Sequence, residues 1–376
     1  MQKGKKIWVI TIIVILNISV FLDVMGVSRP YALHGEKTEL SLPQFSFEAL
    51  YNGSYTDSLS DFLKTNFKLR GIAIRTRNQI DYSLFGETHA RSVIMGKEGV
   101  LFEESYIKAA LGTDDNDSSK IRESVTDLDS LASALNIPVF VVLAPGKASY
   151  YLDFIPNHYL NGDSINLNRS YENWKEGVIK SESLQLVDLH SHFIDKEEVF
   201  PQNGIHWCEW AQIEAFNIIN DSLTSHLPDG IEPASFVIDS VYRSTTMEGT
   251  DEDIEKGLNL WQNIDDFETT YYKTSWEEIE KNSKPKVLVV GDSYAWGVVN
   301  RGILKHGYRD GEFWYYNQVV HGPAYMGTGN FGGNPLEIHS INSRSDLVNV
   351  LNDFDAIILL STDANLHKFP FGFSGL

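Results

Sequence analysis

Ser293 occupies a position in which a serine can act as a nucleophile. An apolar run that predicts a strand ends in Gly291-Asp292-Ser293, and a helix is predicted to begin immediately afterwards. A serine at this junction lies beside a helix N-terminus, where its own backbone N–H and the helix dipole can stabilise a developing oxyanion. Ser293 is therefore a candidate for acyl transfer. The alternative interpretation is that Asp292 or Ser293 only caps the helix.

His206 is the strongest candidate for the base that a serine nucleophile requires. It lies in Asn203-Gly204-Ile205-His206-Trp207, a loop just before a helix predicted over residues 208–224. This placement would bring the imidazole to the same sheet edge as the serine. The alternative is a histidine at the surface or at a helix cap. His190 and His192 are the main rivals, and because no third ligand is evident near this pair, no metal site is predicted.

The composition excludes several classes of function. The 376 residues include 51 acidic and 31 basic side chains, for a formal net charge of −20. Such a surface repels phosphate backbones, which disfavours nucleic-acid binding. The single cysteine, Cys208, excludes an internal disulfide and a thiolate zinc site. Residues 327–332 match G-x-G-x-x-G, but no strand leads directly into them and no helix follows, so no cofactor is predicted.

The elements that must position the serine and the histidine alternate between strands and helices. Five apolar segments predict strands, at residues 138–145, 184–189, 286–290, 313–317 and 356–360. Four further segments predict helices, at residues 119–136, 208–224, 294–305 and 344–352. The alternation predicts an α/β fold with a doubly wound, mostly parallel sheet and flanking helices. Ligands of such sheets bind beyond the carboxyl ends of the strands, where Ser293 is predicted to lie.

Three segments fall outside this alternation. Residues 62–85 carry apolar side chains at helical spacing and predict one or two helices that end at Gly86. Residues 92–102 predict a hairpin. Residues 226–284 contain an acidic stretch, 248–255, and polar, aromatic-rich sequence. We interpret them as an insertion with a small β element rather than as an independent domain.

The N-terminus has the pattern of a signal anchor. Three lysines within residues 1–6 precede the apolar run 7–22, and a basic flank before such a run is typical of an export signal or an anchor. No small-x-small cleavage site follows, which favours an uncleaved transmembrane segment over residues 1–28. Because the lysines are expected to stay cytoplasmic, the rest of the chain is expected outside, in a bacterial cell envelope. It would comprise a lead-in with a helical segment, 29–90, and a catalytic domain, 91–376.

Four motifs together resemble one family. In chain order they are Gly96-Lys97-Glu98-Gly99-Val100-Leu101-Phe102, Ala144-Pro145-Gly146-Lys147 followed by Tyr150, His206-Trp207, and Gly291-Asp292-Ser293-Tyr294. Their order and spacing resemble the SGNH-hydrolase-like acetyltransferases of exopolysaccharide export, the alginate O-acetylation proteins and their relatives. In ordinary SGNH hydrolases the serine comes first and the histidine last. Here the histidine precedes the serine, as in the alginate acetylation family.

The resemblance implies an SGNH-like periplasmic domain with an acetyl-enzyme on Ser293 and His206 as general base. It also implies a polysaccharide acceptor and a membrane-embedded acyltransferase as the source of the acetyl group. The family's pattern places an aspartate two residues before the histidine, where this chain has Gly204. Asp188, at the end of a predicted strand, or Glu209 is then the expected replacement for orienting the histidine.

O-acetylation of a cell-surface or secreted polysaccharide is therefore the predicted function. The Ser293 N–H and the side chain of Asn317 are the predicted donors to the oxyanion. Three aromatic side chains are expected to line the substrate site, namely Trp207, Tyr294 and Tyr325. Two alternatives stay open. The same Ser–His pair would serve an extracytoplasmic carbohydrate esterase, and the missing aspartate favours a non-catalytic polysaccharide-binding or scaffold protein.

Overall fold

The computed structural model describes residues 40–114, 117–162, 165–264, 268–325, 334–335 and 343–373, together with scattered positions before residue 37. The predicted anchor therefore lies largely outside the described residues, and residues 327–332 lie wholly outside them. Among the described helices, none is long and apolar enough to span a bilayer. The chain divides into two compact units, Met1–Arg91 with Glu255–Ile264, and Ser92–Ile254 with Asp265–Leu376.

The first unit is helical in its described part. Its helices are α1 (Phe47–Tyr51), α2 (Ser54–Asn66) and α3 (Arg70–Phe85). Ser46 caps α1 by accepting a hydrogen bond from the Ala49 N–H. Helix α3 ends where Gly86 adopts a φ of 65°, a left-handed conformation that glycine adopts without strain. The prediction of helices that end at Gly86 is confirmed.

The second unit is built on a mostly parallel sheet. Its described strands are β1 (Val93–Met95), β2 (Leu101–Glu103), β3 (Val139–Ala144), β4 (Leu184–Asp188), β5 (Phe236–Ser244), β6 (Thr269–Trp276), β7 (Val287–Gly291), β8 (Glu312–Tyr315), β9 (Val319–His321), β10 (Asn334–Pro335) and β11 (Ala356–Thr362). The central sheet has the order β10-β9-β8-β7-β11-β3-β4. Its strands are parallel from β8 to β4, and β9 and β10 are antiparallel additions.

Helices flank this sheet. Those that begin in the second unit are α4 (Glu104–Leu111), α5 (Ser118–Ala132), α6 (Lys147–Tyr150), α7 (Arg169–Lys180), α8 (Leu189–Phe193), α9 (Glu209–Thr224), α10 (Asp253–Leu258), α11 (Trp296–Val299), α12 (Ile303–His306) and α13 (Arg344–Leu351). Leu128 of α5, Trp174 of α7 and Leu351 of α13 lie in one buried cluster with alternate residues of β3, β7 and β11. The mixed α/β fold with a mostly parallel central sheet agrees with the prediction.

The burial of β3, β7 and β11 explains why their sequences predict strands clearly. Every residue of β3, β7 and β11 is buried, because both faces of a parallel sheet are covered. Such strands appear in the sequence as uninterrupted apolar runs. The ends of β7 and β11 therefore form a rigid edge on which the candidate serine is placed.

Three local predictions have different outcomes. The hairpin is confirmed, since β1 pairs antiparallel with β2, and the insertion does contain a β element, since β5 pairs antiparallel with β6. The predicted helix over 294–305 is wrong as one continuous helix. It is divided into a 3-10 turn, α11 and α12, because Gly302 adopts a φ of 85° between the last two.

Candidate active site

Ser293 begins the 3-10 turn Ser293–Ala295 just beyond the carboxyl end of β7. Asp292 caps the turn, because its Oδ1 accepts a hydrogen bond from the Tyr294 N–H at 3.1 Å. The first N–H groups of a helical turn have no acceptor within the turn. The Ser293 N–H therefore lies where it can donate to an oxyanion formed on an acyl group at its own Oγ.

Asp292 also fixes the turn to the neighbouring strand. Its fully buried Oδ2 accepts hydrogen bonds from the Thr362 N–H at 2.8 Å, from Thr362 Oγ1 at 3.0 Å and from Asn365 Nδ2 at 3.0 Å. Burial raises the pKa of this carboxyl group. The capping role considered for this pair of residues belongs to Asp292, and the Ser293 hydroxyl has a different partner.

That partner is His206. Its Nε2 lies 2.8 Å from Ser293 Oγ, and its Nδ1 lies 2.6 Å from Asp253 Oδ2. In an Asp–His–Ser triad, the imidazole removes the serine proton, while the carboxylate fixes the imidazole tautomer and stabilises the imidazolium. The side chains of His206 and Asp253 are 17% and 27% exposed. Both side chains are therefore partly accessible from outside the protein.

Asp253 holds both the imidazole and the loop that carries it. It is the first residue of α10, and its Oδ1 accepts a hydrogen bond from the Ile205 N–H at 2.8 Å. One carboxylate thus contacts two consecutive residues, Ile205 and His206. Asp253 follows His206 by 47 positions and lies in the segment that the sequence presents as an insertion. That insertion supplies the third member of the candidate triad.

The structure corrects the expectation that Asp188 orients the histidine. The Asp188 carboxylate lies 2.7 Å from Lys175 Nζ and accepts a hydrogen bond from the Tyr171 hydroxyl at 2.8 Å. Strand β4 lies three places from β7 in the sheet, about 14 Å away at the usual strand spacing. Asp188 therefore ends its strand at the expected sheet edge but too far along that edge to reach His206.

A cavity of about 400 Å³ opens beside Ser293 and His206. It is further lined by Trp207, Glu209, Gln212, residues 248–251, Tyr271, Tyr294, Trp296, Gly297, Asn300, Arg301 and Tyr315. Glu209, the other acid considered for the histidine, lies here but pairs with Arg301 and accepts a hydrogen bond from the Tyr272 N–H. A ligand in this cavity can reach the Ser293 hydroxyl.

The aromatic residues expected at the substrate site have different roles. Trp207 and Tyr294 border the cavity but are almost completely buried. Trp207 Nε1 donates to the Tyr294 carbonyl at 3.3 Å, and the Tyr294 hydroxyl donates to the Ile205 carbonyl at 2.9 Å. These two side chains therefore support the histidine loop. Tyr325 packs on Trp296, with 5.4 Å between ring centroids, and Trp296 forms part of the cavity wall.

Asn317 does not take the role predicted for it. Strand β8 ends at Tyr315, so Asn317 lies in the following turn with a φ of 53°. Its Nδ2 donates to the Phe371 carbonyl at 3.3 Å. The side-chain amide thus binds another segment of backbone, which leaves the Ser293 N–H as the predicted oxyanion donor.

The rival histidines have other surroundings. His190 is buried, stacks on the Tyr171 ring at 4.1 Å, and has its pKa lowered to about 4 by burial. His192 Nε2 lies 3.2 Å from Glu214 Oε1. Within the part of the chain that the structure describes, no cluster of His, Cys, Asp and Glu side chains could hold a metal ion.

Comparisons with known proteins give similarity in fold only. No protein-family model and no curated protein matches the chain. The O-acetyltransferase domain of Pseudomonas putida AlgJ is 14% identical, covering 73% of this chain and 92% of that chain, with a TM-score of 0.46. Bacillus cereus PatB1 is 12% identical, covering 75% and 99%, with a TM-score of 0.45. Pseudomonas aeruginosa AlgX is 13% identical, covering 75% and 67%, with a TM-score of 0.39.

The likeness is remote, with identities of 14% or less for all three. The function of this chain is therefore argued from the geometry of its own site.

Gly204 explains why the acid is not two residues before the histidine. A Cβ atom at this position would lie 2.4 Å from the Thr250 carbonyl oxygen and 2.8 Å from the Asp251 carbonyl group. The segment that leads to Asp253 packs directly on the Gly204 backbone and leaves no space for a side chain. The absence of an acid at 204 and its presence at 253 are thus two results of one packing arrangement. The absence of an aspartate at position 204 therefore no longer favours a non-catalytic protein.

Introducing the family's aspartate by Gly204→Asp is expected to destabilise the protein. The new side chain must displace the backbone of residues 250–251, and overpacking of this kind costs about 1–3 kcal/mol. The displacement also moves Asp253 relative to His206, so we expect both a lower midpoint of thermal unfolding and slower acylation. Gly322→Asp is the control, because a Cβ atom at 322 meets nothing within 4 Å. Equal losses in the two variants would contradict this explanation.

Lys147 holds the same loop through its carbonyl groups. Its Nζ donates to the Gln202 carbonyl at 2.7 Å and to the Gly204 carbonyl at 2.8 Å, and the side chain is fully buried. Burial lowers the pKa of the ammonium group, and the charge of Asp253 opposes this effect. Lys147 begins α6 just beyond β3. The Ala-Pro-Gly-Lys motif therefore connects the sheet to the histidine loop.

Lys147→Met is expected to lower the free energy of unfolding by about 2–6 kcal/mol, because two buried carbonyl groups lose their donor and each costs about 1–3 kcal/mol. Methionine retains an apolar stem of similar length, so the change isolates the ammonium group. Denaturant unfolding measures the difference. Lys305→Met, at an exposed lysine, is the control and should change the value by less than about 0.5 kcal/mol. An unchanged Lys147→Met protein would show that these two bonds do not stabilise the loop.

Proposed function

We propose that this protein is an O-acyltransferase that transfers acetyl groups to hydroxyl groups of a polysaccharide through an acetyl-enzyme on Ser293. The observation that carries the proposal is the series Asp253–His206–Ser293, with 2.6 and 2.8 Å between the bonding atoms, beside a cavity of about 400 Å³. Acetyl transfer to glycans is also the chemistry that the resemblance of the sequence motifs implies.

Acylation begins with attack of Ser293 Oγ on the acetyl carbonyl carbon of the donor. The hydroxyl proton passes to His206 Nε2 as the new C–O bond forms. Asp253 Oδ2 accepts the Nδ1–H and stabilises the imidazolium, and the Ser293 N–H donates to the oxyanion. When the intermediate collapses, the bond to the donor breaks and His206 returns the proton to the leaving group.

Transfer repeats these steps with a sugar hydroxyl in place of the serine. The hydroxyl gives its proton to His206 Nε2 and attacks the carbonyl carbon of acetyl-Ser293. The bond to Oγ then breaks, and His206 returns the proton to the serine. The product is an O-acetyl sugar, and the enzyme is regenerated. With water as the attacking nucleophile, the same steps give acetate instead.

The proposal includes the donor and the location. A membrane-embedded acyltransferase would supply the acetyl group, and residues 1–28 would anchor the chain beside it with the catalytic unit outside the cytoplasm. The support is the pattern of lysines followed by an apolar run at the N-terminus, together with the family resemblance.

The test is an acetyl-transfer assay with the full chain. The protein is mixed with 4-nitrophenyl acetate, with and without a set of oligosaccharides. Released 4-nitrophenol, the intact mass of the protein and the masses of the sugars are followed. We expect a burst of about one 4-nitrophenol per protein, an acetyl adduct, and O-acetylated oligosaccharides. An adduct that yields only acetate would identify an esterase. Absence of both burst and adduct would contradict the catalytic proposal.

A further inference from the structure

Two acids on one segment form a wall of the cavity beside Ser293. Asp251 is only 3% exposed and accepts a hydrogen bond from the Tyr271 hydroxyl at 2.8 Å. Glu248 is exposed and accepts a hydrogen bond from the Tyr242 hydroxyl at 2.8 Å. Burial raises the pKa of Asp251 to about 6, with the charges of Asp253 and Glu248 adding to the rise. At neutral pH, which lies above this pKa, Asp251 carries a negative charge in most molecules, and Glu248 adds a second acidic side chain to the wall.

The charge of the arginine in this cavity is already compensated. Among the lining residues that the structure describes, Arg301 is the only lysine or arginine. It pairs with Glu209, and its Nη1 lies 3.3 Å from Thr274 Oγ1. The positive charge that His206 gains during catalysis is matched by Asp253. Among the described lining residues, Glu248 and Asp251 therefore leave an excess of negative charge.

The remaining lining offers uncharged contacts. Trp296 and Tyr315 present adjacent aromatic rings, with centroids 5.2 Å apart, and Asn300 contributes an exposed amide. Aromatic faces and amides bind the apolar faces and hydroxyl groups of a sugar without requiring a charge. A sugar carboxylate at the same place would meet two like charges and, among the described residues that line the cavity, no uncompensated lysine or arginine.

We propose that the acceptor at this site is an uncharged glycan and that the cavity discriminates against uronate-containing polysaccharides by charge. The inference rests on the proposed acyltransferase function and names its acceptor class. The charges of Glu248 and Asp251 in the cavity wall determine this preference for uncharged glycans. The other surface charges that make up the net −20 are screened beyond about 8 Å at physiological ionic strength.

The first measurement uses two arylsulfonyl fluorides that differ only in a para carboxamide or a para carboxylate. Intact mass gives the rate at which each modifies Ser293 in the full chain. We expect the carboxamide reagent to react about tenfold faster at low salt, as two like charges in a partly aqueous cavity predict. At about 1 M salt, where the Debye length falls to about 3 Å, this preference should shrink to about twofold.

Two charge-removing variants locate the origin of the preference. Glu248→Gln takes one charge from the cavity wall and should reduce the preference for the carboxamide reagent by about threefold. Glu182→Gln removes the same charge from an exposed residue that precedes β4, at the opposite edge of the parallel sheet, and should leave the preference unchanged. Equal reactivity of the two reagents, or equal effects of the two variants, would overturn the inference.

The second measurement uses acetyl-Ser293 with a β-1,4-glucan oligosaccharide and with its C6-oxidised glucuronan of equal length. We expect the neutral chain to accelerate loss of the acetyl group more than the uronate chain does. Faster reaction with the glucuronan would overturn the inference while leaving the acyltransferase proposal intact. If neither sugar accelerates loss of the acetyl group, the inference is tested by the ratio of the rates at which the two sulfonyl fluorides modify Ser293. If Ser293 forms neither an acetyl adduct nor a sulfonyl adduct, both the proposed function and the inference are contradicted.

Discussion

Ser293→Ala is expected to abolish the burst of 4-nitrophenol and the acetyl adduct. The variant has no Oγ to form the covalent bond, and His206 has no hydroxyl proton to remove. Loss of the nucleophile in a serine triad lowers turnover by about 10⁴-fold or more, because the remaining groups act only together with it. The readouts are the stopped-flow absorbance of 4-nitrophenol and the intact mass of the protein after the ester is removed.

Ser191→Ala is the matched control for this experiment. Ser191 also lies near the carboxyl edge of the sheet, but its hydroxyl donates to Asp188 at 2.7 Å. We expect this variant to keep the burst and the adduct. Thermal unfolding should show that both variants fold, since Asp292 and not Ser293 holds the turn. An acetyl adduct that persists in Ser293→Ala would assign the nucleophile to another residue and contradict the mechanism.

The sequence was most informative where the chain is buried on both faces. Strands β3, β7 and β11 appear as apolar runs, and the position of Ser293 follows from the end of β7. The sequence does not predict strands β9 and β10, because they are three and two residues long and too short to show a periodic pattern. The division of the helix near Gly302 depends on a backbone conformation that a glycine permits but does not require.

The serine and the histidine could be predicted because each lies in a short motif beside a predicted element. Asp253 could not be selected in this way. It is one of five acids between positions 248 and 255, in a segment without strand or helix periodicity, and its partner lies 47 residues away. The packing of residues 250–251 on Gly204 and the hydrogen bond from the Ile205 N–H bring it to His206. The acidic stretch 248–255 was the one sequence feature that could indicate the acid, and it indicates a segment rather than a single residue.

The insertion over residues 226–284 contributes to the candidate site in two ways. The segment 248–253 provides the acid of the candidate triad and also the acidic wall of the cavity. A single loop would thus set both the reactivity of the histidine and the charge that a substrate encounters. Changes in this loop are expected to alter rate and acceptor preference together, whereas changes at Ser293 alter the rate alone.

Asp253→Asn is expected to lower the rate of acetyl-enzyme formation by about 10³–10⁴-fold. The two carboxylate oxygens accept one hydrogen bond from the Ile205 N–H and one from the His206 ring. Asparagine offers a single acceptor. If its oxygen keeps the Ile205 bond, its NH₂ faces Nδ1 and stabilises the tautomer protonated at Nε2. That tautomer cannot take the proton of Ser293, so the fold is kept while the base is lost.

Asp188→Asn separates this explanation from the one that the sequence suggested. Asp188 pairs with Lys175 and Tyr171, and its strand lies three places from β7. Its variant is expected to change stability but to leave the rate of acylation within about threefold of the wild type, as for residues that share no partners. The pre-steady-state rate with 4-nitrophenyl acetate is measured for both variants. If Asp188→Asn is the slower enzyme, the histidine takes its orientation from the strand and not from the insertion.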